Sequence, residues 1–202
     1  TGLTVLSGLA AGIDGAAHEA ALNAGGTTVA IVGNGLDEVY PPHHRHLQAT
    51  IATRGAVVSE YAPGTSSRPA HFPARNRLVA TLGLATLVVE AAKRSGALIT
   101  ARLAAEAGRE VCAIPGSVRN PRAQGCHRLI REGAALVETP EEVFALLAPA
   151  LSRDFPALAA GDLQKPVTGP TERGRQHALP PSLAGNADYQ CLWKALDHDP
   201  TP

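Results

Sequence analysis

The chain has 202 residues, enough for one well-buried domain and a tail. Apolar residues make up 45% of it but aromatics only 3%, and methionine is absent, so any core has to be built from Ala, Val, Leu and Ile, which suits a sheet covered by helices. The formal net charge is zero, yet residues 41–131 set thirteen Lys and Arg against Glu60, Glu90, Glu106 and Glu110 only, a local surplus of nine. Local charge, not the total, sets the field that a ligand meets, although the same arginines could be spread over solvated helix faces. Cys112, Cys126 and Cys191 are odd in number and too far apart for a C-x-x-C pair, which fits a reduced, cytoplasmic protein. No apolar run approaches the length of about 18 residues that a membrane helix needs, and no signal peptide is evident, so no membrane partner is expected.

In chain order, β-branched runs at 4–6, 27–32, 56–59, 86–90, 110–114 and 135–137 predict strands. Between them, helices are expected near 15–24, 43–53, 73–82, 98–107 and 126–131. Gly25, Gly55, Gly83, Gly108 and Gly133 each follow a helix, where a left-handed cap favours glycine. Thr139-Pro140-Glu141-Glu142 supplies an N-cap, a proline at the first helical position and a glutamate at the third, opening a last helix to about Leu147. Strictly alternating strands and helices predict a mostly parallel α/β sheet with right-handed crossovers and helices on both faces. Residues 148–186 shift to Pro, Gly, Ala and isolated charges, the composition of a linker, and 187–196 predict a short helix, the start of a second, truncated module. Thr1 stands directly before a strand with no initiator methionine, as in a piece of something longer.

Ligands of open parallel sheets bind outside the carboxyl ends of the strands, and that edge collects every unusual segment of this chain. After the first strand comes Ser7-Gly8-Leu9-Ala10-Ala11-Gly12-Ile13-Asp14, with Asp14 placed to cap the next helix. After the second comes Gly33-Asn34-Gly35-Leu36-Asp37, then Tyr40-Pro41-Pro42. After the third, Ser59-Glu60-Tyr61 runs on to Arg68 and His71-Phe72-Pro73-Ala74-Arg75-Asn76-Arg77. After the fourth comes Lys93-Arg94-Ser95-Gly96, and after the fifth Pro115-Gly116-Ser117-Val118-Arg119-Asn120. A phosphate-bearing polymer needs a flat ring for a base, and cations and free backbone N–H groups for phosphates. Phe72, His71, Arg75 and Arg77 offer the first and second, and Ser95-Gly96 at a helix start offers the third, against the plainer reading of Phe72 as core and Ser95 as an ordinary cap. Gly33 and Gly35 are as easily conformational as phosphate-binding.

Several chemistries are poorly supported. Neither G-x-G-x-x-G nor G-x-x-x-x-G-K-[ST] occurs, so neither a dinucleotide nor a P-loop site is expected. His43-His44-Arg45-His46 cannot readily bring three rings to one ion from a helix, so no metal is expected. Asp14, His18, Glu60 and Glu90 are the plausible acid–base groups at the edge, but no Ser–His–Asp order or carboxylate pair stands out and no catalytic residue is assigned.

Taken together these blocks, with Ala16-Ala17-His18, Val88-Val89-Glu90-Ala91, Gly108-Arg109, Ile114-Pro115-Gly116, Gly125-Cys126 and Leu129-Ile130-Arg131-Glu132-Gly133-Ala134, resemble the DprA/Smf family, the bacterial DNA-processing proteins of natural transformation. The resemblance covers about residues 3–147. It implies an extended Rossmann-like domain over 1–147 that binds single-stranded DNA without catalysis or cofactor, protects the incoming strand, forms a homodimer and loads the RecA recombinase. Carried across by motif, Phe72 would stack a base, and Arg68, His71, Arg75, Asn76, Arg77 and Lys93 would line the strand. Gly33, Asn34, Gly35, Ser95 and Gly96 would meet phosphates, and His127, Ile130 and Leu136 would lie in the dimer interface. The family's opening strand with its Gly-x-Arg turn is missing before Thr1, Ala11 stands where many relatives carry a base, and Thr81-Leu82-Gly83 replaces Gly-Leu-Ser. The segment 187–196 resembles the first helix of a winged-helix module.

Two other readings compete. One is a nucleotide or N-glycoside hydrolase of the lysine-decarboxylase-like group using Glu60 or Glu90, but Pro-Gly-Gly-x-Gly-Thr-x-x-Glu is absent. The other is a scaffold for protein pairing alone, which predicts no salt-dependent affinity for DNA.

Overall fold

The computed structural model describes residues 2–154, so the expected linker beyond Asp154 and the helix at 187–196 lie outside the described residues. Six strands alternate with six helices: β1 (Val5–Ser7), α1 (Ile13–Asn23), β2 (Thr28–Val32), α2 (Arg45–Arg54), β3 (Ala56–Ser59), α3 (His71–Leu82), β4 (Ala85–Val88), α4 (Gly96–Glu106), β5 (Glu110–Ala113), α5 (Gln124–Arg131), β6 (Ala135–Leu136) and α6 (Pro140–Asp154). Every pairing is parallel. The strands fall into two three-stranded sheets, ordered β1-β2-β3 and β4-β5-β6, rather than one. Among the described residues no ladder joins β1 to β4; the two halves are held together chiefly by α3 lying against α4.

Alternation along β2 explains the packing of the first half. Ala30 and Val32 point into a cluster with Leu9, Leu22, Leu47 and Ile51, under α1 and α2. Ile31 points to the opposite face, fully buried, where α3 crosses the strand. The second half has its own cluster, Val88, Ala91, Ala101, Ala113, Cys126 and Leu129. Both cores are aliphatic, as the composition demands. Cys112 and Cys126 are buried free thiols, and burial pushes Cys112 up to about 11, leaving it unreactive at neutral pH.

Some local expectations change. Gly25, Gly108 and Gly133 take the left-handed conformation. Gly55 (φ −154°) and Gly83 (φ −75°) do not. Gly55 is required for closeness instead, since a Cβ there would run into the carbonyl of Thr28. Asp14 is not the cap of α1; Gly12 holds that position, and the Asp14 carboxylate reaches back to accept from the N–H groups of Gly8 and Ala10, both at 3.1 Å. The box at Thr139 forms as read: the Glu142 N–H donates to Thr139 Oγ1 (3.4 Å), and Glu142 Oε2 accepts from the N–H groups of Glu138 (2.7 Å) and Thr139 (3.4 Å). Yet α6 runs past Leu147 to Asp154 despite Pro149, with Leu147 and Leu151 both buried on its inner face.

Candidate nucleic-acid interface

The loops after β1, β2, β3, β4 and β5 gather at the C-terminal edge of the two sheets, and side chains of α3 tie several of them down. Arg75 shows how. The residue is 4% exposed, and its guanidinium donates to the carbonyl of Ile31 and lies so close to Gly8 that any side chain there would collide with it. Burial pulls its pKa below the usual arginine value, and nearby Asp14 opposes that shift. Arg75 therefore braces the β1 and β2 loops from inside rather than lining the surface expected of it. His71 does similar work: its Nδ1–H donates to Gly33 O at 2.8 Å, and its ring stacks on Tyr61 at 4.1 Å.

The β2 loop is likewise turned inward. Asn34 is 1% exposed and donates from Nδ2 to the carbonyls of Gly35 and Glu38, both at 3.0 Å. Its own carbonyl accepts from the Ser59 hydroxyl at 2.6 Å. Gly35 is buried, its N–H donates to Thr65 O at 2.8 Å, and a Cβ would stand 2.6 Å from Ala62 O. Asp37 accepts from the Gly64 N–H at 2.8 Å, closing this loop onto the next. Gly33 is buried against His71 and Phe72, where a Cβ would lie 3.3 and 3.4 Å from their carbons. The small residues of this turn thus serve close packing, and their expected phosphate contacts face into the protein.

Other expected residues do reach solvent. Phe72 is half-buried at the head of α3, its ring 5.3 Å from that of Tyr40. Arg68, Lys93 and Gly96 are exposed, and exposed Arg77 pairs with Glu60. Ser95 caps α4, accepting from the Ala97 N–H at 3.3 Å. Asn76 reaches that helix start, its Nδ2 being 4.0 Å from where a Gly96 Cβ would be. Beside it opens a cleft of about 410 Å³ between the β1 loop (Ala11, Gly12) and the β4 loop (Glu90, Arg94, Ser95), with Arg122 on its wall. The β4 loop is pinned to the β5 loop where the Ala91 N–H donates to Arg122 O (2.8 Å) and the Gly125 N–H to Ala91 O (2.7 Å). Two helix starts and two arginines thus meet at an open cleft and favour anions there, while Glu90, 4.0 Å from Arg122, offsets part of that charge.

His127, Ile130 and Leu136 have different environments: His127 bonds Gly116 O at 2.9 Å, Ile130 packs on the second core, and Leu136 is 49% exposed on the end strand β6. His18, on the inner side of α1, does not reach the edge. It is fully buried with Nδ1 2.6 Å from Thr28 Oγ1, whose hydroxyl donates on to Val5 O at 2.8 Å. His44 is also buried, Nδ1 donating to Leu9 O at 3.0 Å. Among the described residues no group of three or more His, Cys, Asp and Glu could hold a metal ion. Sequence reasoning passed over Tyr40 and Tyr61 as partners of Phe72 and His71; their position just after strands was the available signal.

The fold and edge define a Rossmann-like α/β domain whose exposed ring, cations and helix starts face one side. The chain belongs to the family described as DNA recombination-mediator protein A, whose pattern it matches over residues 1–148. It is 51% identical over 143 residues to the DNA processing protein DprA of Streptococcus pneumoniae, covering 71% of this chain and 51% of that one. The X-ray structure of the Streptococcus pneumoniae DprA superposes with a TM-score of 0.68 at 50% identity, over 71% of this chain and 50% of that chain. A Helicobacter pylori DNA processing protein A, from a study of its single-stranded DNA binding mode, superposes with a TM-score of 0.65 at 29% identity, over 73% of this chain and 66% of that one. The chain thus spans about half the length of its Streptococcus pneumoniae relative.

Proposed function

We propose that this domain binds single-stranded DNA along the C-terminal edge of its sheets, acting by binding rather than catalysis. The observation that carries the reading is Phe72, a partly exposed ring in a domain whose two described core clusters hold no aromatics, on an edge with the exposed cations Arg68, Arg77 and Lys93. A relative of the same fold was studied for binding this ligand. Phe72 stacks a base, the cations follow the backbone, and Ser95 and Gly96 at the start of α4 meet a phosphate. Arg75, His71, Asn34 and the β2-loop glycines hold the edge in shape. In the whole protein the bound strand is protected and passed to the RecA recombinase during natural transformation, and exposed Leu136, with Ile130 and His127, contributes to a homodimer.

Fluorescence anisotropy of labelled oligo-dT over a range of salt concentrations, with duplex competitor, tests this. Binding that prefers single strands and weakens steeply with salt is the expected result. Equal affinity for duplex, or no affinity for either form in the full-length protein, would overturn it.

A further inference from the structure

The described residues contain four Phe and Tyr side chains, and three of them, Tyr40, Tyr61 and Phe72, meet at the C-terminal edge. Neither core cluster contains one. Three of the four described Phe and Tyr rings thus stand outside both core clusters, on the side where loops converge. Tyr61 is accounted for by its stack on His71. Tyr40 is not. It is 45% exposed, and its hydroxyl makes no hydrogen bond to any described residue. Its ring lies 5.3 Å from Phe72 at a tilt of 38°.

That spacing is ring contact, too close to admit a third ring between the two, so Tyr40 and Phe72 form a continuous surface rather than a slot. The surface is held from behind. Pro41 is buried, and its carbonyl accepts from the His44 N–H at 3.0 Å, fixing the backbone under Tyr40. Gly33 packs against the Phe72 ring, where a Cβ would lie 3.4 Å from a ring carbon. A rigid, two-ring, half-wet face beside exposed cations suits a nucleobase, whose π-face is apolar and whose edges remain solvated.

We propose that Tyr40 is a second base-stacking residue, its ring extending Phe72 into one platform that seats a nucleobase of the bound strand, with the phenol hydroxyl available to the base edge or backbone. The assignment rests on the single-strand reading above. It makes Tyr40 a direct contact, distinct from Arg75 or His71, which act through the loops they brace.

The test uses the full-length protein and two oligonucleotides of equal length and charge, oligo-dT and an abasic strand. Tyr40→Ala should weaken oligo-dT binding by about fivefold or more while leaving abasic binding near that of the parent protein. Tyr40→Leu, which keeps bulk without the π-system, should resemble Tyr40→Ala, and Tyr40→Phe should recover most of the lost affinity. Oligo-dT binding unaffected by Tyr40→Ala, equal weakening on both strands, or full recovery by Tyr40→Leu would overturn the proposal, since each makes Tyr40 absent from the contact or a mere support for Phe72. A parent protein that binds neither strand would instead sink the single-strand reading itself.

Discussion

At the scale of single residues, chemistry and position part company. Phe72 and Arg75 stand three positions apart on one helix, yet one is partly open to solvent and the other is buried. Phe72→Ala should cost about 1–3 kcal/mol in single-strand binding and leave the melting temperature nearly unchanged, as read by anisotropy and circular dichroism. Arg75→Met should do the reverse: it leaves the Ile31 carbonyl without its donor and should lower unfolding stability by about 1–3 kcal/mol in a urea titration, with the salt dependence of binding intact. A flattened salt slope would return Arg75 to the DNA path. His18 makes a pH prediction. Burial lowers its pKa from 6.5 to about 4, outweighing the opposing pull of Asp14. The unfolded chain therefore binds a proton between these values that the folded chain refuses. Its contribution is fully present above pH 6.5 and is lost as the pH falls toward 4, about 3 kcal/mol in all. Urea midpoints measured across that window should fall with pH, and His18→Gln should remove most of the slope.

At the scale of elements, the loops are positioned by tight backbone contacts that forbid side chains. A Cβ on Gly125 would stand 2.6 Å from Ala91 O and 2.7 Å from Ala91 Cβ, at the point where the β4 and β5 loops are joined. Gly125→Ala should therefore force the two loops apart, costing about 1–3 kcal/mol in thermal unfolding and widening the cleft lined by Arg94 and Arg122. Amide exchange of Ala91 and Gly125 would report that separation; unchanged protection would show that the loops can shift together. The motifs around these loops were legible because turn chemistry is local: Ser95 before α4 and the Thr139 box were read from a few adjacent residues. Asp14 was misplaced by the same local logic, because its two partners, Gly8 and Ala10, lie before the cap and are brought back by the fold of the loop.

At the scale of the whole molecule, only part of the basic middle segment serves the edge: Arg68, Arg77, Lys93 and Arg94 follow strands there, whereas Arg54 and Arg131 close helices, Arg109 precedes β5 and Arg102 pairs with Glu106. Lys93→Ala and Arg68→Ala should each reduce the salt slope of single-strand binding by about 0.7 per lost phosphate contact, read from anisotropy at four or five salt concentrations, with duplex competition unchanged. The amino-acid sequence by itself determined the alternation of six strands and six helices, the parallel sheets, the aliphatic core, the family, and the edge at which the unusual residues collect. These follow from period, turn residues and chain direction, which are properties of neighbours along the chain. Only the tertiary structure decided that the strands divide into two sheets joined through α3 and α4, that Arg75, Asn34 and His18 turn inward, and that Tyr40 meets Phe72. Those outcomes depend on which groups from distant segments compete for the same buried space and hydrogen-bond partners, and that competition has no signature in local sequence.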